Sequence, residues 1–99
     1  MEHISIHPQT LRKWRRMTDC NAHGECLESI AEFFAAQDYA PGIFAGIRDA
    51  LHEVNERHNA ARSLSYELMQ IRAALSDALM QTIKATYGPE IYAKVYATG

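Results

Sequence analysis

Between Gly46 and Gly88 the chain contains neither glycine nor proline. Nothing else in the ninety-nine residues constrains the fold as much, because those two residue types are the main punctuation of helices. Through this region apolar residues recur mostly in steps of three and four. The series is Phe44, Ile47, Leu51, Val54, His58 and Ala61, then Leu64, Leu68, Ile71, Leu75, Leu79 and Ile83. Such a series falls on one side of an α-helix. At about 100° per residue the second half lags the first by roughly 80°, which a 3.5-residue repeat accumulates over three to four heptads. One helix with a left-handed supercoiled seam satisfies that lag. The register slips once, from Ala61 to Leu64, where two steps of three follow one another.

Length turns the pattern into a choice. Residues 41–86 as a single helix would span roughly 69 Å at about 1.5 Å per residue. A compact domain of this size has a radius of gyration of only about 13 Å. Either a second chain covers the helix, or the helix bends back near 55-NERHNAARS-63, the most polar part of the seam. The absence of breakers there favours the continuous form, used in a homodimer. Its seam is Phe44, Ile47, Leu51, Val54, His58, Leu68 and Leu75.

Shorter helices flank this element. Pro8 suits a first helical position, with His7 or Ser5 before it, and predicts a helix over 8–17. Leu27, Ile30, Ala31 and Phe34 predict a second over 22–37, with Asn21 or Asp19 as N-cap. The segment 38-DYAPG-42 ends it, and Gly88-Pro89 separates a last helix over 89–97. No hairpin signal is present. The expectation is an all-α protein forming a single domain over 1–99. It has one long, or once-bent, helix from about 42 to 86 flanked by shorter ones.

Charge is unevenly placed. The net charge is −2, yet Arg12, Lys13, Arg15 and Arg16 lie within five positions. That leaves six Lys/Arg against twelve Asp/Glu elsewhere. Affinity for an anionic partner therefore belongs to the first helix. Leu11, Trp14 and Met17 share one side of it, and Arg12, Arg15 and Arg16 the other. Arg12, Trp14, Arg15 and Arg16 are the candidate partner-binding residues, since guanidinium forks suit carboxylates and phosphates alike. The string Pro8, Thr10, Leu11, Arg12 and Trp14 resembles the opening of the groove-reading helix in the winged-helix family of MerR-type regulators and excisionases. That resemblance implies DNA binding. It covers about thirteen residues, and the family's preceding helix and wing strands have no counterpart here.

Cys20, His23 and Cys26 stand three apart and include both cysteines. Zinc takes such ligands when they converge on one ion. Residues six apart on a helix are separated by about 9 Å along its axis, so convergence needs a loop with Gly24 as its turn. A fourth ligand would come from His3, His7, Asp19 or Glu25. The plainer expectation is that Cys26 packs as a small hydrophobe, with Cys20 and His23 beside the helix start. A Cys20–Cys26 disulfide is the redox alternative. No metal and no cofactor is expected.

Catalytic constellations are missing from the sequence. There is no H-E-x-x-H, P-loop, G-x-G-x-x-G or G-x-S-x-G, and neither Ser63 nor Ser65 has a suitably spaced histidine. His52 and Glu56 are spaced as a surface pair. In 87-YGPEIYAKVY-96, Ile91 and Val95 are spaced to fold back as a cap, with tyrosine hydroxyls at the rim. No apolar run approaches the roughly 20 residues of a membrane span, and no signal-peptide pattern opens the chain. The expectation is a cytoplasmic, non-enzymatic binding protein (a regulator, adaptor or inhibitor) that pairs with itself and with a protein partner. A DNA-binding regulator is the runner-up and a zinc-stabilised module the third.

Overall fold

The long pattern forms two helices, α3 over Pro41–Ala61 and α4 over Tyr66–Tyr87. They belong to a computed structural model that describes residues 4–20, 22–61 and 65–97. The described part measures 40 × 26 × 19 Å, with a radius of gyration of 13.1 Å. A continuous helix of roughly 69 Å does not fit those dimensions. The chain turns back instead, and α3 and α4 pack on each other. This corrects the continuous form. α3 ends at Ala61 and α4 starts at Tyr66, so the polar stretch 55–61 is helical. Ser63 and Leu64 lie outside the described residues, as do His3 and Asn21.

Three further helices complete the all-α architecture: α1 over Pro8–Asp19, α2 over His23–Ala35 and α5 over Pro89–Tyr96. α2 is central and packs on α1, α3 and α4, and α5 closes against α4. Local chemistry sets the ends. His7 caps α1, its Nδ1 accepting from the Gln9 amide at 3.0 Å, with Pro8 following it. Ser65 caps α4, its Oγ accepting from the Leu68 amide at 3.3 Å. Gly88 separates α4 from α5 with φ 94°, a left-handed value that favours glycine. α2 starts after Ala22, which supplies no side-chain cap.

The core shows where the seam went. Phe44, Leu51, Val54 and Leu68 are buried within the single chain, and Ile47 and Leu75 pack partly buried against the same core. His58 sits partly exposed in the last turn of α3. The seam is therefore covered by the chain's own helices, where a second subunit was expected to cover it. Ile71 departs from the pattern and stands 44% exposed. Half-buried Arg72 takes the step between Leu68 and Leu75.

Aromatic rings tie the helices together. Phe34 of α2 stacks on Phe44 of α3 at 5.2 Å, and Tyr87 of α4 lies 5.2 Å from Phe34. Trp14 joins α1 edge-on to Phe33 at 5.6 Å. Ile91 and Val95 are buried from α5, as the capping role required. Burying side chains of this size contributes roughly 1.5–3 kcal/mol each, offset by conformational entropy.

Candidate functional site

The basic helix divides as its sequence indicates. Trp14 is 1% exposed, and its indole N–H donates to Ser29 Oγ at 3.3 Å. It anchors α1 and is not open to a partner, which corrects its place among the binding residues. Arg12, Arg15 and Arg16 are exposed. With Gln9 and Asp19 they frame an open depression of about 460 Å³. Among the described residues the basic side chains within pairing distance of a carboxylate are Arg48, beside Asp49, and His52, beside Glu28, so none of these three arginines has a carboxylate partner.

Cys20, His23 and Cys26 do not converge. Cys20 caps the C-terminus of α1 and is exposed, while Cys26 is fully buried. The Cys26 thiol lies 3.4 Å from the Trp14 carbonyl, to which it donates, and 3.6 Å from Thr18 Oγ1. Burial pushes its pKa up, against a smaller opposing effect of the Thr18 hydroxyl, so it stays a neutral thiol. Both cysteines are free, and no three His, Cys, Asp or Glu side chains are grouped to hold a metal among the described residues.

A polar junction forms instead where α2 meets α3. Asn55 is buried and donates to the Gly24 carbonyl at 2.9 Å and to Glu28 Oε1 at 3.4 Å. His52 Nδ1 lies 3.0 Å from the same Glu28 oxygen, so His52 pairs across to α2, and not with Glu56. A Cβ at Gly24 would run into Asn55 Oδ1, and Arg72 Nη1 lies 3.1 Å from that Cβ position. Gly24 is thus where two helices and the Arg72 side chain meet. No periodicity in the sequence signals this junction, since its members come from three helices.

Arg72 and His23 open onto a groove of about 390 Å³ between α2, α4 and α5. Its apolar walls include Leu27, Met69, Met80, Tyr92 and Tyr96, and Ser76 and Asp77 add polar atoms. Tyr92 and Tyr96 stack at 5.6 Å, and Lys84 Nζ lies 5.3 Å over the Tyr92 ring. Burial, and then the Arg72 charge, hold the His23 pKa below the ordinary imidazole value. No helix among the described residues is long and apolar enough to cross a membrane. No protein-family model matches the chain, and neither a curated protein nor a solved structure matches it.

Proposed function

We propose that the chain is a small, non-enzymatic binding protein of the cytoplasm, a regulator or adaptor. In this reading it docks on an acidic protein surface through Arg12, Arg15 and Arg16. One observation carries the proposal. Three exposed guanidinium groups without a carboxylate partner among the described residues sit on a helix whose other side is fixed by buried Trp14. A rigid helix presents its forks already arranged, so little side-chain order is lost beyond the arginines themselves. A second copy of the chain is one such acidic surface, because outside 12–16 it holds six Lys/Arg against twelve Asp/Glu. The homodimer belongs to this charged face in the proposal, since the apolar seam is used within the chain.

Nucleic acid is the runner-up. It rests on the resemblance of Pro8–Trp14 to a groove-reading helix, and the acidic remainder of the chain works against it. The test compares wild type with a triple variant, Arg12→Glu, Arg15→Glu and Arg16→Glu. Both are titrated with poly-glutamate and with short duplex DNA, and their masses are read by light scattering. The expected result is poly-glutamate binding that the variant loses while helix content stays unchanged. Duplex binding that falls steeply between about 50 and 200 mM salt would hand the site to DNA. Binding of neither ligand, with the same mass for both proteins, would remove the proposal.

A further inference from the structure

The groove between α2, α4 and α5 shares no lining residue with the arginine face of α1, and it combines apolar surface with a single guanidinium. Its floor is apolar, with Leu27 and Met80 buried. Its rim keeps apolar surface in water, with Tyr96 63% exposed and Met69 37% exposed. At one end stands Arg72, half-buried, with no carboxylate at pairing distance among the described residues. A guanidinium drawn partly out of water and left without an anion is costly, and an incoming carboxylate offsets that cost.

From this arrangement we infer that the groove binds an amphiphilic carboxylate, a small molecule with one anionic head and an apolar chain or ring. The head meets the Arg72 fork, and the tail lies over Leu27, Met69 and Met80 against Tyr96. A volume of about 390 Å³ is at the small end of ligand sites, which suits a medium-length chain. The charged and titratable groups facing the head are His23 from α2, Arg72 and Asp77 from α4, and Tyr92 and Tyr96 from α5, with Lys84 beyond Tyr92. Asp77 is the single carboxylate among them, so the site favours an anion over a cation. The suppressed protonation of His23 adds a pH dependence. A bound carboxylate favours the imidazolium, so affinity rises as pH falls through the His23 range.

The test is calorimetric titration of the full chain with octanoate, and with octanol as the neutral control of equal length. Octanoate is expected to bind saturably at one site, and octanol at least about tenfold more weakly, the loss expected for a hydrogen-bonded charge pair. Arg72→Gln should weaken octanoate by a similar factor and leave octanol unchanged. Tyr96→Ala, on an exposed ring, should weaken both. The proposal is overturned if octanol binds as tightly as octanoate, or if neither binds saturably. It is equally overturned if folded Arg72→Gln keeps the wild-type affinity. Should that variant lose its helix content, the wild-type comparison of octanoate with octanol decides alone.

Discussion

Gly24 shows how much one missing methyl group can hold in place. Gly24 stands in the first turn of α2, where alanine is still the better helix former, so propensity alone predicts that Gly24→Ala stabilises the protein slightly. The structure predicts the opposite. A methyl group at Gly24 collides with Asn55 Oδ1, and moving Asn55 breaks its bond to the Gly24 carbonyl, leaving a buried amide unsatisfied. The expected net loss is about 1–3 kcal/mol in chemical denaturation. A double-mutant cycle with Asn55→Ala isolates the cause, since that change removes both the collision and the orphaned amide. Gly24→Ala should be far milder on the Asn55→Ala background, with a coupling of about 1 kcal/mol or more. Simple additivity would show that Asn55 is not what Gly24 accommodates. The sequence places Gly24 near a helix start or a metal loop. It cannot show a partner thirty-one residues away, because the need for close approach arises only when α2 and α3 cross.

At the scale of elements, most of what the sequence carries is visible because it is periodic. Helices α1, α2 and α5 follow from Pro8, from the Leu27–Phe34 spacing and from Gly88-Pro89, within a few residues of their observed ends. The break between α3 and α4 was harder to see. No glycine or proline stands between the two helices, and the marks in the sequence are the polar seam of 55–63, the register slip after Ala61 and the capping Ser65. The basic face of α1 was legible because three arginines and one tryptophan separate cleanly around a helix. The groove was not, since α2, α4 and α5 each contribute only a few of its residues. Trp14 makes α1 an element that can be tested as a unit. Its indole supplies the contact to Phe33 and the bond to Ser29. Trp14→Ala should cost about 3–5 kcal/mol. The α1 amides should lose hydrogen-exchange protection ahead of those in α2 and α4. Equal loss throughout would mean that α1 folds only together with the rest.

For the whole molecule, the seam decides what a monomer can be. An apolar stripe along forty-odd residues must be covered, and two chains or one folded chain can do it equally well as far as periodicity is concerned. The folded form puts Phe44, Leu51, Leu79 and Ile83 in one core with Phe34 of α2, each fully buried. Stability then belongs to one chain. Helix content and melting temperature should not change on dilution, whereas a protein folded only as a dimer melts lower when diluted. The proposed association through the charged face should respond to salt, because exposed ion pairs are screened over about 10 Å at moderate ionic strength. Leu51→Asp separates the two cases. Inside one chain it buries an unpaired carboxylate among Phe and Leu side chains and should cost several kcal/mol, enough to unfold a domain of this size. Circular dichroism should show its helix lost at every concentration. A Leu51→Asp protein that stays helical and merely halves its mass in light scattering would place the seam between subunits after all, because an intrachain core has no second chain to release.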